Sequence, residues 1–456
     1  MVSDPRKRGR VTRQSTRVPV RAEWRTSHTS DATSVAYTTP APFGRVPADL
    51  AIHARPIIGP VTDLAMRASP ARSEALRRAA PALLGYAAVR ALGLLALTLW
   101  SAARDKDAYT LLTARWDALW YTRVAERGYG YEVRLPNGDV HSNLAFFPLL
   151  PWLERLGAQL PSLSYADAGF VVSLLASLAA AWGIFAVADH VYGRRVGVCA
   201  VLLWAVLPVG IVQSMAYSES LFTALAAWSL YAVLTGRWLT AGTLALLAGL
   251  TRPVGLAVVA AVWVTGIAAF VRERSAGPAS GVDAPAHAPG PAVRRVLGML
   301  LAPLGAAGYV LWVGHRTGKG PLGYLDVQAG WRNGFDGGYA FARFVGEKFT
   351  SFPSALAGVG LIVGVGLLIW LYVVCVRQRQ PLPLLVYAGV VTALALCASS
   401  YFGSKPRLLL PAFPLLLPLA RSLAGLRTRR SALVMGAVAV ASAVYGAFWL
   451  NGSGPP

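Results

Sequence analysis

Charge is scarce in this chain, and acidic charge is the scarcer kind. Only 14% of its 456 residues are Asp, Glu, Lys or Arg, where a soluble globular protein carries about a quarter. That shortage argues against an ordinary water-soluble domain. Cysteine occurs three times, at Cys199, Cys375 and Cys397. All three fall in apolar runs, at no spacing that would hold a metal, and they read as small apolar packing residues. No Gly-rich nucleotide-binding loop is visible. Nor is there the internal duplication that many transporters show. No signal peptide is expected at the start.

What is present is apolar. The chain is 55% hydrophobic with a mean hydropathy of +0.49. Its apolar residues come in runs near the roughly twenty residues that cross a bilayer. One such run could be a buried core helix, but a long series could not. The sequence therefore predicts an all-α polytopic membrane protein of about eleven transmembrane helices. They lie at 81–103, 167–188, 196–213, 219–235, 296–313, 354–376, 383–400, 407–420 and 431–449, with two more in 239–271. That stretch is too long for one span. Thr251-Arg252-Pro253 divides it, because proline disfavours helix at the residue before it.

Polar segments separate these runs. Residues 1–80, rich in Arg, Ser, Thr, Pro and Ala, read as a disordered basic cytoplasmic tail against anionic lipid, with a short surface helix over 67–78. Segment 272–295 is a Pro/Ala/Gly-rich cytoplasmic linker loop between arginines. Two long polar loops cover 104–165 and 314–352.

The net charge of +22 comes largely from the tail and the short loops. This distribution fits the positive-inside rule better than a nucleic-acid groove. The loops holding Arg194/Arg195, Arg237, Arg272/Arg274/Arg294/Arg295, Arg377/Arg379 and Arg421/Arg427/Arg429/Arg430 contain almost no acids. They are expected in the cytoplasm with the N-terminus. Both long loops, Gln213–Glu219, Arg252 and Tyr401–Arg407 then share the outer face. The abundance of Arg, Ala, Gly and Pro suggests a bacterial plasma membrane.

Several residues on that face could do chemistry. Asp117 and Tyr121 are four apart, on one face if this stretch is a helix. Among Trp116, Trp120 and Tyr121, the Asp117 carboxylate reads either as a solvated loop acid or as a partly desolvated general base. A hairpin is expected at Pro136-Asn137-Gly138-Asp139. The segment Asn143–Trp152 is read as re-entrant or as an amphipathic helix on the surface. Ser218 and Glu219 either cap a helix or line a polar pocket. Arg252 interrupts an apolar stretch, where a charge is costly and faces a partner or a cavity. Arg252, Lys405 and Arg407, cations without adjacent acids, suit a phosphate; snorkelling is the competing reading of Lys405. The segment Tyr324–Trp331 suits a sugar or lipid headgroup, or simply surface packing.

Together these segments resemble the PIG-V-type mannosyltransferase family of the GT-C class of membrane glycosyltransferases. The matching residues are Arg115-Trp116-Asp117 with Tyr121, Gly128-Tyr129, Ala145-Phe146-Phe147-Pro148-Leu149-Leu150-Pro151 and Ala216-Tyr217-Ser218-Glu219-Ser220-Leu221-Phe222. Weaker matches are Thr251-Arg252-Pro253, Gln328 with Trp331, and Arg407 followed by Pro411 and Pro414. The resemblance implies a GT-C-like domain over 81–450 with two large extracytoplasmic loops. It also implies an inverting transferase that moves a sugar, mannose by family, from a polyprenyl-phosphate donor to a glycan, lipid or protein acceptor. Asp117 would be the catalytic base. Arg252, Lys405 and Arg407 would hold the donor phosphate. Arg115, Trp116, Tyr121, Tyr129, Phe147, Tyr217, Glu219, Gln328 and Trp331 would contact substrate. The family's eukaryotic pattern places a Glu just before Phe-Phe-Pro. Here the hairpin separates Glu132 from it, so Glu132 receives no role. A divalent cation is compatible with this chemistry, but no ligand set is legible. The alternative function is a transporter or flippase of a lipid-linked sugar.

Overall fold

Proline, glycine and a few buried arginines decide where the helices of this chain stop. The computed structural model describes residues 72–275, 290–399, 401–452 and 454, so most of the tail and linker expected from the sequence lie outside the described residues. The first helix, α1, spans Arg72–Ala102, beginning nine residues before the expected span. Its start is held by Arg78, whose guanidinium pairs with Asp189 at 2.7 Å. After α1 come two short helices, α2 (Ala108–Thr113) and α3 (Asp117–Arg127). A two-stranded hairpin follows, β1 (Glu132–Arg134) with β2 (Val140–Ser142), paired antiparallel with Val133 opposite His141. Its turn falls at the expected Asn137-Gly138, where Gly138 takes the left-handed φ of 87° that a Cβ would oppose.

The chain then builds α4 (Leu149–Gly157), α5 (Tyr165–Tyr192), α6 (Arg194–Ala205), α7 (Ser218–Leu234), α8 (Trp238–Gly249) and α9 (Leu256–Ser275). Helix α5 opens on a reciprocal capping box between Ser164 and Asp167. After residues 276–289, outside the described residues, come α10 (Pro291–Leu301), α11 (Leu304–Thr317), α12 (Gly323–Gly330) and α13 (Tyr339–Glu347). The last five helices are α14 (Ser354–Arg377), α15 (Leu382–Cys397), α16 (Lys405–Leu408), α17 (Leu417–Gly425) and α18 (Thr428–Leu450).

Among the described residues six helices are long and apolar enough to cross a membrane, or up to seven if the pair 402–408 and 413–425, bent by 75°, forms one broken span. Three further expected runs form apolar helices shorter than these six, at Ser218–Leu234, Trp238–Gly249 and Leu382–Cys397. At 1.5 Å per residue a twelve-residue helix reaches only about 18 Å, less than the hydrocarbon thickness.

Small residues let the bundle close. A Cβ on Gly242 of α8 would lie 2.2 Å from the carbonyl oxygen of Gly298 on α10, so the two backbones touch as membrane helices do at small-residue contacts. In α1, buried Arg90 donates to the carbonyls of Ala205 and Gly210 where α6 ends. This satisfies groups that would otherwise be orphaned at a helix terminus. Helix α14 presents nearly all its surface outward, with only Gly358 and Cys375 buried. A run of apolar side chains so exposed fits lipid contact.

Candidate active site

The charged residues singled out by sequence come from four separate breaks in the chain and converge. Asp117 is the first residue of α3, immediately after Trp116, whose φ of 51° is left-handed. A bulky residue in that region carries backbone strain of a kind concentrated at functional sites. Glu219 lies in the first turn of α7. Arg252 sits in extended conformation between α8 and α9, ahead of Pro253. Arg407 belongs to the one-turn helix α16, next to Pro406. Pro253 keeps helix from continuing through Arg252, whereas Pro406 sits in the first turn of α16, where proline is tolerated.

The side chains form one ionic chain. Arg407 Nη1 lies 2.8 Å from Asp117 Oδ2, and Arg407 Nε lies 3.2 Å from Glu219 Oε1. That same Glu219 oxygen lies 2.5 Å from Arg252 Nη1. Arg252 also donates to Ser218 Oγ at 3.2 Å, and Ser218 Oγ meets the Tyr121 hydroxyl at 2.7 Å. The Arg407 guanidinium lies over the Tyr217 ring, 5.1 Å from its centre. The Glu219 side chain is 1% exposed and Asp117 is 26% exposed. The chain of charges thus runs from a sealed carboxylate to one open to an incoming group.

This corrects the expectation that the cations lack adjacent acids. In the fold each arginine has one, and the two carboxylates balance the two guanidiniums. Ser218 is not a cap either: the α7 N-terminus has no side-chain cap, and the hydroxyl bridges Tyr121 and Arg252 instead. Lys405 stands apart. Its ammonium donates to the carbonyls of Ala395 at 2.7 Å and Ala398 at 2.8 Å, closing the end of α15, beneath the rings of Phe341 and Phe402. Lysine suits such a helix C-terminus.

Around the charges stands an aromatic wall. Trp120 stacks on Phe146 with ring centres 5.6 Å apart and meets Trp331 edge-on at 4.9 Å. His141 stacks on Trp331 at 4.0 Å, and burial lowers its pKa. The two long loops join here: Trp331 Nε1 donates to the Ser142 carbonyl, and Arg332 pairs with Asp139 at 2.6 Å. Arg115 lies over the Trp116 ring at 4.2 Å.

Other expected substrate contacts are engaged in packing. The Tyr129 hydroxyl donates to the Phe146 carbonyl, to which Tyr309 also donates. Phe147 is buried against Tyr309 and Tyr324. Gln328 is held between the Tyr324 hydroxyl and Asn333. Sequence reasoning missed Tyr309 and His141, because neither lies in a segment whose composition marks it. Among the described residues no three His, Cys, Asp or Glu side chains gather where they could hold a metal ion. A divalent cation would find Asp117 and Glu219, both already paired with arginine.

Residues 99–273 match the family model described as mannosyltransferase (PIG-V). Over that stretch this agrees with the family resemblance read from the motifs. The matched stretch holds Asp117, Tyr121, Ser218, Glu219 and Arg252; Arg407 lies beyond it. A search of the curated proteins finds no match. Among solved structures, the chain is similar to ArnT from Cupriavidus metallidurans bound to undecaprenyl phosphate, at 14% identity, 78% coverage of this chain, 62% of that chain and a TM-score of 0.47. It is also similar to the archaeal oligosaccharyltransferase AglB from Archaeoglobus fulgidus in complex with an inhibitory peptide and a dolichol-phosphate. There the values are 12% identity, 81% and 56% coverage and a TM-score of 0.39. The chain spans about three-fifths of the length of these proteins.

Proposed function

We propose that this membrane protein is an inverting glycosyltransferase that moves a sugar, mannose by family, from a polyprenyl phosphate to an extracytoplasmic acceptor. The observation that carries the reading is the Asp117–Arg407–Glu219–Arg252 cluster, which sets a carboxylate beside two guanidiniums at a border between apolar helices and polar loops. Asp117, the most exposed member, takes the proton of the acceptor hydroxyl as its oxygen attacks the anomeric carbon. The bond from that carbon to the phosphate oxygen breaks, and its electron pair leaves with polyprenyl phosphate. Arg252 and Arg407 oppose the negative charge that grows on the phosphate. The wall of Trp120, Phe146 and Trp331 offers faces on which a sugar ring can stack.

A lipid-linked donor accords with a chain in which no nucleotide-binding loop is legible. In this reading the six long spans are joined by α6, α7, α8, α15 and the broken pair as further crossings, bringing the count to eleven. The N-terminus is cytoplasmic, and the cluster opens to the outer face of a bacterial plasma membrane. The test is a transfer assay in membranes supplied with polyprenyl-phosphate mannose and candidate acceptors, wild type against Asp117→Asn. Transfer by wild type that collapses in the variant supports the reading. Absence of transfer and of polyprenyl phosphate release with every acceptor would sink it.

A further inference from the structure

Glu219 is in an unusual position for a residue that contacts substrate. It is almost fully buried, and a single oxygen, Oε1, serves both arginines, at 2.5 Å from Arg252 and 3.2 Å from Arg407. Neither of its carboxylate oxygens, nor Arg407 Nε and Nη1, has a hydrogen bond of good alignment within the described residues. The contacts are ion pairs whose directional bonding capacity is still unspent. Two guanidiniums so close repel each other unless an anion lies between them, and a charge left unpaired in such a place is costly. A phosphate brings more oxygens and more charge than one carboxylate, and it matches guanidinium geometry better.

Resting on the function proposed above, we infer that Glu219 is a positioning residue: an internal counter-ion that holds Arg252 and Arg407 ready and competes with the phosphate of polyprenyl phosphate for them. The same exchange acts on Asp117. In this structure Asp117 is paired with Arg407 at 2.8 Å, so one of its carboxylate oxygens is occupied by the guanidinium. When Arg407 turns to the phosphate, that pairing loosens, so the carboxylate is freed for the acceptor hydroxyl only with donor in place. After transfer, Glu219 competes with the product phosphate and hastens its release. No bond is made or broken in the exchange.

The test uses the purified full chain and polyprenyl phosphate itself as probe, with Kd, KM and kcat measured on each variant. Glu219→Gln keeps size and removes the competing charge. It should bind polyprenyl phosphate tighter by on the order of tenfold, with donor KM and kcat both lowered because product leaves slowly. Glu219→Asp keeps the charge on a shorter arm, and its affinity should fall between the two. A residue that merely supports the fold would not tighten binding. If wild type binds polyprenyl phosphate but Glu219→Gln binds it no more tightly, the counter-ion role is overturned while the enzyme class stands. Should the Gln variant fail to fold, an Asp variant that binds no tighter than wild type overturns it equally. Wild type that binds no polyprenyl phosphate overturns the function reading, and this inference with it.

Discussion

The Arg407 guanidinium stands 2.8 Å from the carboxylate of Asp117, a contact between residues 290 positions apart that links short helix α3, within the first long loop, to the broken helix near the end of the chain. Because Arg407 binds through Nη1 on one side and Nε on the other, its fork geometry matters as well as its charge. Arg407→Ala should weaken polyprenyl phosphate binding and lower turnover together, since the phosphate is charged in both ground and transition states. Arg407→Lys should restore only part of either, because an ammonium cannot span two carboxylates as a planar fork does. Equal affinity of the Ala variant and wild type, measured by direct binding, would remove Arg407 from the phosphate site.

The Phe-Phe-Pro segment is pinned from a distant helix. The Tyr309 hydroxyl of α11 donates to the carbonyls of Leu144 and Phe146. Tyr309→Phe keeps the ring packing and removes only that donor. It should cost about 1–2 kcal/mol, read as a lower Tm of the purified protein, with a moderate fall in kcat as the aromatic wall loosens. An unchanged Tm would show that the carbonyls are satisfied without it.

Glu154 gives a pH-dependent test. This residue of α4 is fully buried against Gly169, its carboxylate oxygens have no hydrogen-bond partner among the described residues, and burial raises its pKa well above the ordinary range. A carboxyl kept neutral in the folded state binds more protons there than when unfolded. Its penalty on folding is therefore absent below the ordinary pKa near 4.5 and grows as pH rises above it. Glu154→Gln should raise Tm at pH 8 and leave it nearly unchanged at pH 4. A Tm lowered at both pH values would contradict the burial argument.

Sidedness follows from the basic loops. In a background with Cys199, Cys375 and Cys397 replaced, cysteines introduced at Asn137 and Gly337 should react with an impermeant thiol reagent added outside. A cysteine at Ala284, in the linker outside the described residues, should not. The reverse pattern would put the cluster on the cytoplasmic face.

Deleting residues 1–60, which lie outside the described residues and lack apolar periodicity, should leave insertion and transfer chemistry intact. A truncated protein that inserts normally yet transfers nothing would make the tail part of the active unit.

Much of this was legible in sequence because cost is legible. Arg252 in an apolar run had to face a partner, and Asn137-Gly138 had to turn. Asp117 and Glu219 sat in motifs dense enough to be recognised. Partner identity was not legible, since pairing is a tertiary fact. Nothing local says that Glu219 neutralises both arginines, that Ser218 bridges rather than caps, or that Lys405 closes α15 while its neighbour Arg407 reaches the cluster. Which apolar runs form helices long enough to cross alone was not legible either. Hydropathy reports which residues avoid water, whereas helix length is set by Gly and Pro at the ends.

The measurement that bears most directly on the central claim is the single-turnover rate of Asp117→Asn, taken with donor affinity on the same protein. Asparagine keeps the size and most hydrogen bonding of Asp117 but cannot take the proton. The account predicts a rate lowered by roughly 10²–10⁴-fold with donor binding nearly unchanged. An Asp117→Asn enzyme that turns over at the wild-type rate would show that the proton goes elsewhere and that Asp117 is not the base.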